Sequence, residues 1–265
     1  MRVLIKLGGT LLEQADTRLR LAGELAQLAR EHELVVVHGG GKQMTAFLAE
    51  RGVVSRFIGG FRVTTPEVTE ALLQVFAGSV NHHLVAALLG SGARAVGLSG
   101  IDAGLALAEP LDPALGAVGR IVRCDASILH HLVGGGFLPV VACVAGGADG
   151  SVYNVNADQM AVACAAAFGA TALIFLTDVT GVRGADGATV PFLDPDACRA
   201  LIAAGIATGG MQAKLESACA AVEKGVGRVV IAAGSQPGAS AAALADEEIG
   251  TRILAATARP GEPAR

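Results

Sequence analysis

Six short apolar runs recur along the chain: VLIKL (3–7), LVVVH (34–38), RAVGLS (94–99), LPVVACV (138–144), TALIFLT (171–177) and RVVIAA (228–233). Each is too short for an ordinary helix and too uniformly apolar for a strand with one wet face, so each fits a parallel strand buried on both sides. Helical patterns fill most of the gaps, over 17–31, 43–51, 66–89, 125–133, 157–168, 195–204 and 211–224. Strands alternating with helices predict an α/β protein, a three-layer αβα sandwich around a mainly parallel sheet. AGGADGSVYNV adds a hairpin with Asp149-Gly150 at its turn. No linker of proline, serine or charge divides the chain, so any division is between two lobes that share one sheet, changing over near 176–182. Ligands of such sheets collect beyond the carboxyl ends of the strands.

A chain of 265 residues, 52% of them hydrophobic, has ample material for a large core. Its 20 basic and 24 acidic residues include no basic block able to follow a phosphate backbone, which argues against nucleic acid and for small ligands. Two uncharged runs, 126–148 and 159–177, have the length of a membrane span. The first is broken by Gly134-Gly135-Gly136 and Pro139 and the second by Gly169, so each reads better as a buried helix followed by a buried strand, with no membrane partner. The opening MRVLIKLGG has a run of only three apolar residues before Lys6, short of a signal peptide, and a cytoplasmic protein is expected. Five cysteines, without a Cys-x-x-Cys pair, are expected to be buried free thiols. The six histidines lack zinc spacing and are assigned to the surface or to helix packing, leaving no metal site.

The 36 glycines are about twice the ~7% share of an average protein, and they cluster just after predicted strands. KLGGT (6–10) and HGGGKQ (38–43) could each bring backbone N–H groups up to an anion, the second beside a helix N-terminus. Neither is a Walker A loop or a dinucleotide fingerprint, and each alone fits a tight turn equally well. GGFRVTTPE (59–67) offers Arg62 as a fork for a carboxylate, LTDVTGVRG (176–184) sets Thr177 and Asp178 at a strand end, and GGMQAKLESA (209–218) puts Lys214 about a turn inside a helix. Read singly, these are a surface charge, a turn and a solvated lysine. In YNVNAD (153–158) the polar residues Asn154, Asn156 and Asp158 alternate, so a strand would send all three to one face and into one cleft. Asp158 also reads as the N-cap of the apolar helix that follows.

The ordered set KLGGT, VHGGGK, FRVTTPE, AVGLSGIDAGL, VYNVNADQMA, LTDVTGV, GGMQAKLESA and EEIGTRI resembles the amino acid kinase family nearly end to end, and within it the members that act on N-acetyl-L-glutamate. The resemblance implies the carbamate kinase-like αβα fold, with residues 1–176 binding the acyl amino acid and dimerising, and 177–265 binding ATP. It implies transfer of the γ-phosphoryl group of ATP to the substrate's side-chain carboxylate. Lys6 and Lys214 match the lysines that stabilise the transferring group, and Asp158 the aspartate that holds them. Gly8, Gly9, Gly40 and Gly41 match the phosphate-cradling backbone, the latter two on the substrate side. Arg62 and Asn154, with Asn156 beside them, match the grip on the substrate's α-carboxylate; Thr177, Asp178, Gly209, Gly210 and Met211 match the nucleotide side. Mg²⁺ is expected to be held mainly by the phosphates, with no protein ligand. TTP in 64–66 departs from the commoner pattern, in which an acidic residue follows the first threonine. The alternatives are a related kinase of carrier-protein-linked aminoadipate or glutamate in lysine biosynthesis, or a non-catalytic amino acid or nucleotide sensor. Arginine-inhibited members carry an extra N-terminal helix that helps form a hexamer, and this chain begins on its first strand. A homodimer with weak or no arginine inhibition is therefore expected.

Overall fold

The computed structural model describes residues 1–245 and 247–255. In chain order the first elements are β1 (Arg2–Leu7), α1 (Ala15–Glu31), β2 (Glu33–His38), α2 (Gly41–Glu50) and the hairpin β3 (Phe57–Ile58) with β4 (Phe61–Arg62). One long helix follows: α3 (Pro66–Leu72) runs through a π-wound stretch, Leu73–Val80, into α4 (Asn81–Gly90). Then come β5 (Ala95–Ser99), β6 (Ala106–Pro110), β7 (Gly119–Cys124), α5 (Ser127–Gly134), β8 (Leu138–Ala142), β9 (Val144–Gly146), β10 (Val152–Asn154) and α6 (Ala157–Phe168). The last elements are β11 (Ala172–Thr177), β12 (Phe192–Leu193), α7 (Pro195–Ala203), α8 (Gly209–Glu223), β13 (Arg228–Ala233), α9 (Ala239–Leu244) and β14 (Thr251–Ile253).

All six predicted strands enter one eight-stranded sheet, in the order β12-β14-β13-β11-β1-β2-β8-β5. It is parallel from β5 to β13, and β14 joins antiparallel to β13. Helices α5, α6 and α8 cover one face and α1, α4 and α9 the other, completing the three layers. The central strands β1, β2 and β11 are buried almost throughout, which is why their sequences carry no polar alternation.

Helix boundaries follow local chemistry. Thr65 accepts a hydrogen bond from the Val68 N–H ahead of Pro66, and Asp194 does the same for Ala197 ahead of Pro195. Gly169 ends α6 in the left-handed region, at φ 66°. The run at 138–144 is not one strand. It leaves the main sheet at Cys143 and re-forms as β9 in a second sheet, β10-β9-β6-β7, in which β9 and β10 are the expected hairpin and the half-exposed β6 and β7 carry no apolar-run signal. The pattern at 66–89 is helical but its middle is wound wide. Pro66–Gly90 is, among the described residues, the one helix long and apolar enough to cross a membrane, and here Leu84 and Leu88 bury it against the sheet. The two uncharged runs are α5 with β8 and α6 with β11, as expected. All five cysteines are free, with Cys124 half-buried and the rest buried; burial pushes the Cys143 thiol up to about 12.

Candidate active site

The carboxyl ends of β1, β2 and β11 lie side by side and open into Gly8-Gly9, Gly39-Gly40-Gly41 and Thr177-Asp178. The first two loops meet closely: a Cβ on Gly9 would fall 3.2 Å from the Gly40 nitrogen and Cα and from the Gly41 nitrogen, so backbone would have to give by a few tenths of an ångström. A Cβ on Gly40 would fall 2.9 Å from the Phe76 ring, which the π-wound stretch sets against that loop. Gln43 donates from Nε2 to the Gly9 carbonyl at 2.9 Å and ties the loops together. No side chain caps α2, so the N–H groups of its first turn remain for an anion.

Three elements supply a buried triad. Lys6 on β1 reaches Asp158 Oδ1 with Nζ at 2.7 Å, and Lys214 on α8 reaches Oδ2 at 2.8 Å. All three residues are no more than 8% exposed. Burial pushes the Asp158 carboxyl up, but the two ammoniums outweigh it and hold the group below the usual carboxylate range. Burial, then the neighbouring Lys6 charge, lowers Lys214 despite its carboxylate partner. Two cations on one anion leave the triad itself with one excess positive charge, and Asp178 at the end of β11 adds a negative charge nearby.

Asn154, Asn156 and Asp158 do not share a strand face. The strand stops at Asn154, and Asn156 is the N-cap of α6: its Oδ1 accepts from the N–H groups of Asp158 (2.8 Å) and Gln159 (3.2 Å). Asp158 therefore stands inside the first helical turn, where the helix dipole favours its charge, and is not the cap. Asn154 donates from Nδ2 to Thr64 Oγ1 at 3.0 Å, and Thr64 in turn donates to the Arg62 carbonyl at 2.9 Å, so Thr64 links Asn154 to Arg62. The Arg62 guanidinium is buried over the Phe57 ring and donates to the Gly41 carbonyl (3.1 Å), Thr45 Oγ1 (2.7 Å) and Ser55. Desolvation lowers its pKa from the usual value, a cost that a bound carboxylate would relieve.

A cleft of about 980 Å³ runs past Asp158 and Lys214. Asn156, Asp158, Thr177, Asp178, Lys214 and the 209–211 loop line it, with the tip of the β3–β4 hairpin, Gly59-Gly60, at its rim. Thr177 Oγ1 donates to Asp178 Oδ1 at 3.1 Å. Gly209 opens α8 at φ 54°, and open space surrounds Gly209 and Gly210, so that loop presents bare backbone to the cleft. Arg62 and Asn154 do not line the cleft and form a cluster of their own.

Sequence reasoning missed His38 and Asn81. The histidines were assigned to the surface or to helix packing, but His38 is fully buried at the end of β2, with Nδ1 2.9 Å from the Gly39 carbonyl and Nε2 3.0 Å from Asn81 Nδ2. Burial, with a contribution from the Lys6 charge, lowers its pKa to about 4. The available signal was a polar residue closing an apolar strand immediately before a glycine run.

Known proteins resemble this chain along most of its length. A protein of Solibacter usitatus named acetylglutamate kinase is 57% identical over 248 residues, 93% of this chain and 96% of the relative. An N-acetylglutamate synthase from Neisseria gonorrhoeae, solved with coenzyme A and N-acetyl-glutamate, superposes with a TM-score of 0.85 at 27% identity, over 96% of this chain and 59% of that one. A carbamate kinase from Giardia shares the fold alone, with a TM-score of 0.72 at 16% identity over 96% and 98% of the two chains. The sequence profile of the Amino acid kinase family matches residues 1–233, and the chain belongs to that family.

Proposed function

We propose that this chain is an ATP-dependent kinase that transfers the γ-phosphoryl group to the side-chain carboxylate of N-acetyl-L-glutamate, giving N-acetylglutamyl 5-phosphate and ADP in arginine biosynthesis. The carrying observation is the buried Lys6–Asp158–Lys214 triad, set at the strand ends beside two converging glycine loops. The relative at 57% identity, named acetylglutamate kinase, supports the substrate.

The chemistry needs little else. A carboxylate with a pKa of about 4.3 is already an anion near neutral pH and requires no general base. The difficulty is its repulsion from a triphosphate. Lys6 and Lys214 offset that repulsion and meet the charge that spreads over the phosphoryl oxygens, while Asp158 fixes both ammoniums in advance. Backbone N–H groups of Gly8, Gly9, Gly40 and Gly41 add fixed donors. The carboxylate oxygen forms the new bond to phosphorus as the bond to the β-phosphate oxygen breaks, and ADP carries away that electron pair.

Residues 1–176 form the substrate lobe, gripping the α-carboxylate through Arg62 and Asn154, while Asn156 lines the cleft as the cap of α6. Residues 177–265 form the ATP lobe, through Thr177, Asp178, Gly209, Gly210 and Met211; residues 246 and 256–265 of it lie outside the described residues. No three His, Cys, Asp or Glu side chains gather at one point among the described residues, and Asp158 is committed to lysines. Mg²⁺ in this reading rides on the phosphate oxygens. A homodimer completes this reading, as the family resemblance implies. Five free thiols fit a cytoplasmic setting.

The test is ATP-dependent hydroxamate formation with hydroxylamine, offering N-acetylglutamate beside glutamate, aminoadipate and UMP. Hydroxamate from N-acetylglutamate alone, lost in Lys214→Ala, is expected. ATP binding without hydroxamate from any acid would refute the acyl-phosphate chemistry and favour a sensor or a carrier-linked substrate.

A further inference from the structure

We infer that His38 is a positioning residue for phosphoryl transfer: in its neutral Nδ1–H tautomer, imposed by Asn81, it fixes the Gly39 carbonyl and thereby aims the Gly40 N–H at the phosphoryl group. The inference rests on the phosphoryl-transfer reading above.

Hydrogen-bond logic assigns the tautomer. Asn81 Nδ2 lies 2.9 Å from the Val140 carbonyl, which only accepts, so the amide nitrogen of Asn81 faces that side. The same nitrogen lies 3.0 Å from His38 Nε2 and has no lone pair to offer, so Nε2 must be the acceptor. The ring proton is then on Nδ1, which donates to the Gly39 carbonyl at 2.9 Å. A directed chain results, from Asn81 through the imidazole to the Gly39 carbonyl.

The peptide plane carries the effect onward. In a trans peptide the C=O of one residue and the N–H of the next point in opposite directions. Holding the Gly39 carbonyl on His38 therefore turns the Gly40 N–H away from the ring. The Gly40 nitrogen is one of the atoms that crowd Gly9, where the two glycine loops converge. The other polar group of Gly39 is also fixed, its N–H donating to the Leu7 carbonyl at 3.2 Å.

The core gives up packing to keep this chain. Asn81 is 1% exposed, and its Oδ1 is buried with no hydrogen-bond partner. Gly97 lies in the facing strand, where any side chain would overlap that oxygen. A leucine at 81 with a larger residue at 97 would serve stability alone, and it would leave the imidazole free to rotate or to exchange tautomers.

The test compares His38→Asn with His38→Gln. Asparagine places its amide nitrogen where Nδ1 was and keeps the donor to Gly39, whereas glutamine keeps only a group at the Nε2 position. His38→Gln should lose kcat by at least ~10-fold with KM for N-acetylglutamate within ~3-fold, and His38→Asn should recover most of the loss. Equal kcat in the glutamine variant and the parent enzyme, or equal losses in both variants, would overturn the inference. Nitrogen-15 NMR of histidine-labelled parent enzyme gives a readout that needs no folded variant. The expected signature is a protonated Nδ1 and a bare Nε2 that do not titrate between about pH 6 and 9. A proton on Nε2, or an imidazolium in that range, would overturn it. Parent enzyme without turnover would refute the phosphoryl-transfer reading instead, and the NMR signature would still decide the tautomer.

Discussion

Replacing Asp158 by asparagine keeps the side-chain shape and removes the one anion that two buried ammoniums share. Lys6 and Lys214 sit 2.7 and 2.8 Å from opposite oxygens of that carboxylate, so their charges are no more than about 8 Å apart. At an effective dielectric constant of ~20, that separation alone gives a repulsion of at least ~2 kcal/mol. Loss of both attractive contacts raises the expected destabilisation to roughly 3–5 kcal/mol, the range for breaking a buried pair. Urea unfolding without nucleotide measures it. Because the carboxyl is held below its usual range, the difference between parent and variant should be fully present near neutral pH. It should shrink as the pH falls below about 4 and the parent's own carboxyl takes up its proton. Removing one cation should undo part of the damage: Asp158→Asn combined with Lys214→Met should be more stable than Asp158→Asn alone, although the double variant is inactive. Two results would refute the reasoning: an Asp158→Asn protein as stable as the parent, or a double variant less stable than the single by the sum of separate losses.

Four further outcomes follow from the geometry. Lys214 is lowered by burial, so kcat/KM should fall on the alkaline side at a pH below the ordinary lysine value of about 10.4, and Lys214→Arg should move that limb out of reach; an unchanged limb counts against Lys214 as the titrating group. Arg62→Lys keeps the charge but loses the fork, and KM for N-acetylglutamate should rise by roughly 10-fold or more with kcat nearly constant in steady-state assays. Gly9→Ala should destabilise by about 1–3 kcal/mol, because its methyl meets backbone of the facing loop, whereas Gly41→Ala, with open space around it, should leave the urea midpoint unmoved. Light scattering should report a dimer, and a monomer at micromolar concentration would refute that reading.

The sheet was legible because its central strands are buried on both faces: VLIKL, LVVVH and TALIFLT have no other stable use. Lys6 and Lys214 were legible only through the family resemblance, since Lys214 read alone is a solvated helix lysine and its burial depends on Asp158, 56 residues away. Alternation misled at Asn154, Asn156 and Asp158, where the chain changes from strand to helix inside the pattern and the period of two ceases to apply. His38 stayed hidden because a neutral buried imidazole needs a partner from α4, forty-three residues away, and no local signal encodes that contact. Of the second sheet only the β9–β10 hairpin was legible, through its Asp149-Gly150 turn; β6 and β7 escaped because they are short and half-wet.

Val68, Leu72, Phe76, Val80, Leu84 and Leu88 recur every fourth residue and are all buried. On a regular helix each step of four overshoots a full turn by about 40°, so five steps would swing this seam roughly 200° around the axis. The π-wound stretch Leu73–Val80 takes more residues per turn and cancels much of that drift. It acts as a phase corrector between two halves of one rod, letting Phe76 meet the glycine loop while Asn81 and Leu84 still face the sheet. Winding those eight residues regularly, with none removed, would bring the drift back and turn everything downstream about the axis, uncoupling Asn81 from His38 without altering either side chain.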